Sequence, residues 1–323
     1  MSVPRRRGLG YAIGDLGLSI AYFAVGFFFL FYLTHLLGLP PAVAGVVILI
    51  GKLWDGVNDP LIGVMVDRTH SRHGRKRAYL LYGAVPFGLS FVLLWWIPVG
   101  QTDSTTAIIA ATLFLLFATA YSLVGVPYQA LVPVITSDYD ERTRLVGYKA
   151  IFSALGAVLG GGIALAVSSQ TDVQTALRTM AIVFGVTIAA TTLWAAHATA
   201  HYTQRDTVEI APVPLVRYFT ILTERSVAVL MSYKVLSAVA TGVLTASLPF
   251  FALDVVGSAS TATFALAAYT IVGAAMVPVW NGMTHHFDKR RLMLVSSCAA
   301  SLVLLVVGLL ATTGSTLIFI LGS

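Results

Sequence analysis

Residues 52–69 read KLWDGVNDPLIGVMVDRT, and they break long apolar runs on either side with Lys52, Asp55, Asp59 and Asp67. The 323-residue chain around them is 57% hydrophobic and 11% charged, against about 25% charged in an ordinary soluble domain. Runs long enough to cross a bilayer as helices, about 20 residues each, recur along it. They lack the residue-by-residue alternation of barrel strands and the charged outer faces of a soluble helical bundle. Asp55 and Asp59, four residues apart, share one face of such a helix. At bilayer depth, charges of this kind persist only against a protein interior or a cavity, with partners.

Working outward, the chain is predicted to be all-α and polytopic. Full spans are expected at 11–36, 41–66, 78–98, 105–135, 145–168, 177–200, 227–253, 260–284 and 291–312. A further apolar piece from Ser315 is too short to span, so the chain reads as truncated, with about nine full helices and the start of a tenth. The basic start with its long first run lacks a small-residue cleavage site, so it reads as a membrane helix rather than a secretory signal. The single cysteine, Cys298, excludes intramolecular disulfides.

The distribution of Lys and Arg sets the expected topology. Of 20 basic residues, 17 fall at one set of connections, only Arg178 at the other, and Lys52 and Lys234 inside helices. The amino terminus is therefore expected in the cytoplasm of a protein of the cell membrane. This also accounts for the net charge of +6 without nucleic-acid binding, because the charges sit in short loops. The polar connection after the sixth span divides the chain into a six-helix bundle (1–203), a cytoplasmic linker (204–225) and an incomplete second bundle (226–323).

Two carboxylates with the amide oxygen of Asn58 between them offer hard oxygen ligands to a monovalent cation, or an exchangeable proton. The alternative is a Lys52–Asp55 ion pair that only holds helices together, which leaves Asp59 uncompensated. No cleft-forming segment outside the spans supplies the acid–base pair of a hydrolase, and no nucleophile–base pair or metal cluster is present, so no enzyme and no cofactor are implied.

Two stretches carry a resemblance: WDGVNDPLIGVMVDRTHSRHGRKR (54–77) and VPYQALVPVITSDYDERTRLVGYKAIFSALGA (126–157), with YAIGDLG (11–17) before them. The spacing of Gly63, Asp67, Arg68, Gly74, Arg75 and Lys76 resembles the conformational-gating loop of the major facilitator superfamily. Pro278, Gly282 and Asp288–Arg291 echo it weakly, as a repeated six-helix unit would. Together the stretches resemble the glycoside-pentoside-hexuronide:cation symporter family, the melibiose-permease-like branch of that superfamily. The resemblance implies the facilitator fold and cation-coupled symport of a sugar or glycoside. It implies Na⁺ or H⁺ coupling at Asp55, Asn58, Asp59 and Ser122. The carboxylates that hold galactoside hydroxyls in the family are replaced here by Ser19 and Gly125, and its helix 4 tryptophan by Gln129. A galactoside is thus disfavoured. The alternatives are a lysophospholipid or other amphiphile as substrate, or an inactive fragment.

Candidate pathway residues are Asp15, Ser19 and Tyr22 on helix 1, and Tyr121, Gly125, Tyr128 and Gln129 on helix 4. Tyrosines and an amide suit sugar rings and hydroxyls, although tyrosines are also common at helix packing positions. Lys149 is expected to pair with the DYDER loop (138–142) or to reach the cavity. Lys234, inside an apolar run, is expected to touch solute or to snorkel to an interface. LGAVLGGG (155–162) is expected to permit close helix packing. Expected partners are thus a small solute, a coupling cation and the lipid bilayer.

Overall fold

The computed structural model describes residues 4–161, 172–202 and 224–250, together with isolated helical positions at Val272, Val295, Ser297 and Cys298. Among the described residues the chain is helical throughout, without strands. Helix α1 (Arg5–Ala12) and helix α2 (Gly14–Phe31) run on as one span that ends in a π-helical turn, Tyr32–Leu36. Then follow α3 (Pro41–Arg68), α4 (Arg75–Leu94), α5 (Asp103–Gln129), the short α6 (Val132–Ile135), α7 (Tyr139–Gly161), α8 (Val173–Ala198) and α9 (Arg225–Phe250). Among the described residues, five stretches are long and apolar enough to cross a membrane: 5–36, 41–68, 75–94, 103–135 and 173–198.

Local chemistry explains where these boundaries depart from the predicted ones. The span expected at 78–98 starts at Arg75, directly after Gly74, whose φ of 85° turns the chain. That left-handed backbone suits glycine because it has no Cβ to clash. The span expected at 105–135 is two helices. Pro133 cannot donate a hydrogen bond to the carbonyl one turn back, and its ring collides with that carbonyl. The helix expected from 145 starts at Tyr139, because Asp138 accepts the Glu141 N–H at 2.9 Å and caps it. Apart from Val272, Val295, Ser297 and Cys298, the spans expected at 260–284 and 291–312, and most of the linker, lie outside the described residues.

α2 runs through the middle of the described bundle and packs against α7, α8 and α9. α5 lies between α3 and α4, and α4 also packs on α8. Lipid tails are as apolar as leucine, so helices in a membrane associate through close approach rather than through transfer out of water. The glycine run behaves as expected. A Cβ on Gly156 would sit 2.6 Å from the Leu16 carbonyl oxygen, and one on Gly160 2.7 Å from that of Ile20. Only glycine lets α7 lie this close to the α2 backbone. The half of the bundle away from the start of α1 is filled by aromatic rings, among them Phe29, Phe91, Trp95, Phe114 and Phe117.

A candidate ion and solute site on one face of the bundle

Helix α3 carries the charged stretch. Lys52 Nζ lies 3.2 Å from Asp55 Oδ2, with side chains 58% and 30% exposed, and 6.0 Å from the centre of the Tyr22 ring on α2. Asp59, one turn further, is exposed and has no ion-pair or hydrogen-bond partner among the described residues. Asn58 turns the other way and is buried, and its Nδ2 has no partner. A buried donor without a partner costs about 1–3 kcal/mol, and only a hydrogen-bond acceptor, not a cation, would relieve it at Nδ2.

Helix α5 faces this stretch in parallel. Gly51 meets the Phe114 ring, and Trp54 Nε1 donates to Thr119 Oγ1 at 2.9 Å, so both contacts advance in the same direction. One turn beyond the second, Asn58 on α3 and Ser122 on α5 come at matching depth, and both are buried. Gly51 lets the two helices come this close, because a side chain there would collide with Phe114.

A second charged pair lies across α2. Asp15 Oδ1 is 3.8 Å from Lys149 Nζ, with side chains only 20% and 15% exposed. Lys149 thus pairs with α2 rather than with the DYDER loop. Its ammonium stands 4.7 Å above the Tyr128 ring and 5.8 Å from that of Tyr11, a cation–π arrangement. The two rings stack at 4.7 Å. Tyr11 donates its hydroxyl to the Tyr128 carbonyl at 2.7 Å, and Tyr128 donates to that of Tyr11 at 2.9 Å. Tyr128 is therefore buried and engaged with backbone, tying α1 to α5. Ser19 is likewise buried, 2.8 Å from the hydroxyl of Ser153.

Tyr121 links the two clusters. Its ring lies 6.5 Å from that of Tyr22, and its hydroxyl is within electrostatic reach of Asp15, Asp55 and Asp59. Gly125, one turn on, is buried beside Leu18 and the Tyr121 ring. Gln129 is exposed at the end of α5, and Lys234 lies on α9 with a side chain outside the described residues. In the loop between α3 and α4, Arg75 Nη1 donates to the Asp67 carbonyl at 3.4 Å, and Thr69 and Tyr79 share a 2.8 Å hydroxyl contact. Lys76 is buried, whereas Asp67 and Arg68 are exposed. Sequence reasoning missed Tyr11, Trp54, Thr119 and Ser153. Thr119 carries the one usable signal, a hydroxyl residue three before Ser122 on an apolar helix.

A profile of the family described as MFS/sugar transport protein matches residues 10–322. An uncharacterized symporter of Synechocystis sp. is 40% identical over 156 residues, 47% of this chain and 29% of that protein. A protein of Escherichia coli named as a glycoside/cation symporter is 36% identical over 157 residues, 49% of this chain and 34% of its own length. The sodium-dependent lysophosphatidylcholine symporter 1 of Xenopus tropicalis is 32% identical over 155 residues, 47% of this chain and 29% of its own length. The matched stretch thus spans between 29% and 34% of these relatives.

Proposed function

The chain belongs to the MFS/sugar transport protein family, in its glycoside-pentoside-hexuronide:cation symporter branch, and on that premise we propose that it couples uptake of a sugar or glycoside to Na⁺ or H⁺ entry. It is a multi-pass membrane protein, and in this reading its amino terminus is cytoplasmic. The observation that carries the proposal is the α3 face: an Asp55 already compensated by Lys52, beside an Asp59 with no counter-charge among the described residues. A cation or proton at Asp59 removes that imbalance. Occupancy then changes the relative energy of the conformations, which is the condition for coupling. Ser122, and Asn58 once its amide turns toward Asp59, would supply further oxygens for Na⁺. The solute would lie near Tyr22, Tyr121 and the Asp15–Lys149 pair.

The test is uptake into proteoliposomes under an imposed Na⁺ or pH gradient. Asp59→Asn keeps shape and loses charge, so uphill accumulation should fall to the diffusive level while exchange of labelled solute survives in part. Gradient-driven accumulation equal to wild type in that variant would sink the coupling role. For orientation, a cysteine placed at Ser71 should stay unreacted with an impermeant reagent in intact cells. Rapid labelling from outside would invert the topology.

One observation favours a second substrate class, an amphiphile of the lysophospholipid kind. The Ser19 hydroxyl is engaged by Ser153 and Gly125 has no side chain, so neither accepts hydrogen bonds from sugar hydroxyls as a carboxylate would. Uptake of lysophosphatidylcholine with none of a panel of glycosides would decide for it.

A further inference from the structure

An open groove of about 540 Å³ lies where the start of α1 meets the end of α8, away from the ion and solute face. Its wall is almost wholly apolar, with Leu193 and Trp194 along it, and Arg6, Arg7 and His197 stand at its edge. Among the described residues no carboxylate lines it. Arg6 and Arg7 have no ion-pair partner among the described residues. His197 donates Nδ1–H to the Leu193 carbonyl at 2.8 Å, which leaves its other ring nitrogen available. The floor is narrow because Gly10 lets α1 lie against Ala198; a Cβ there would come within 2.8 Å of the alanine methyl. Trp194 is 63% exposed, at the end of its span where tryptophan favours the water–lipid boundary.

A groove with two unpaired guanidiniums at the membrane surface and an apolar wall running into the bilayer is complementary to a molecule with an anionic head and an acyl chain. Basic pockets between membrane helices take such head groups, and arginine's planar donors match phosphate oxygens. We infer that this groove seats an anionic phospholipid, its phosphate held by Arg6 and Arg7 and one acyl chain along Leu193 and Trp194. On the orientation proposed above, this lipid would belong to the cytoplasmic leaflet; the rest of the inference does not depend on that orientation.

The full chain, purified in detergent, is titrated with phosphatidylglycerol and with phosphatidylcholine, and retained lipid is counted by native mass spectrometry. Phosphatidylglycerol should be retained in preference. Arg6→Gln with Arg7→Gln should weaken it about 25-fold, the loss of two surface cations. Arg5→Gln, a neighbour that does not line the groove, should weaken retention less than about fivefold, the general attraction of one surface cation. Both arginines are on the surface, so lipid-free melting of the double variant should match wild type, which separates lost binding from lost folding. Equal retention of phosphatidylcholine, or undiminished retention in the double variant, overturns the inference. So does displacement of the lipid by millimolar inorganic phosphate, which would mark a site for soluble anions. Because the measurement needs neither a gradient nor a sided membrane, its failure is distinct from failure of the transport or topology proposals.

Discussion

Asp15 and Asp59 are carboxylates at similar depth in one bundle, yet their surroundings are opposite. Around Asp15 every group is engaged: Lys149 neutralises the charge, and two stacked tyrosines bed the ammonium and bond each other's backbone. Around Asp59 there is an exposed surface, a neighbouring pair already closed on itself, and a buried amide without a partner. A charge whose partners are all built in is difficult to titrate or exchange. One left without partners costs stability and retains capacity for a ligand. The difference teaches which charges hold helices and which are available for work.

The strongest way to break that contrast is to remove each lysine. Lys149→Ala strands Asp15 in a mostly buried site, and breaking a buried pair from one side costs about 3 kcal/mol or more. Lys52→Ala opens an exposed pair worth about 0–1 kcal/mol. Unfolding of the detergent-purified variants should therefore separate them clearly. Adding Asp15→Asn to Lys149→Met should restore much of the loss, because no charge is then left stranded. Equal destabilisation by the two single lysine changes would erase the distinction between the regions.

Most of the architecture was legible because bilayer thickness and hydropathy fix helix lengths almost by themselves. The α3 charges were legible for the same reason, since Asp55 and Asp59 stand out against apolar neighbours. The roles of Tyr128 and Lys149 were not. A tyrosine next to a glutamine reads as a polar wall for solute, but α1 comes close enough to take the hydroxyl on its backbone, and that proximity is tertiary. Lys149 lies nearer in sequence to the DYDER loop than to Asp15, yet the glycines of α7 bring it against α2 instead. Helix ends at Tyr139 and Gln129 shifted for local reasons, Asp138 as a cap and Pro133 as a break, and both signals were present in the residues.

The smallest expected effect sharpens the comparison from inside the α3 face. Among the described residues, the Trp54–Thr119 bond is the one side-chain hydrogen bond between α3 and α5, one turn before Asn58 and Ser122. If the face is a ligand site, this bond sets the spacing of its oxygens; if it is only packing, the bond merely adds stability. A partly exposed neutral hydrogen bond contributes about 1 kcal/mol. Thr119→Val keeps shape and removes the acceptor, so melting should drop slightly in either case. Trp54→Phe combined with Thr119→Val should cost less than the two changes summed, because neither then leaves an orphan. The discriminating readout is the cation concentration that half-saturates uptake. A positioning role predicts a rise of about fivefold, the equivalent of roughly 1 kcal/mol, restored toward wild type by Thr119→Ser, which returns the acceptor. An unchanged half-saturation with the same drop in melting would make the bond structural, and the α3 face would then hold its ion without help from α5 at this level.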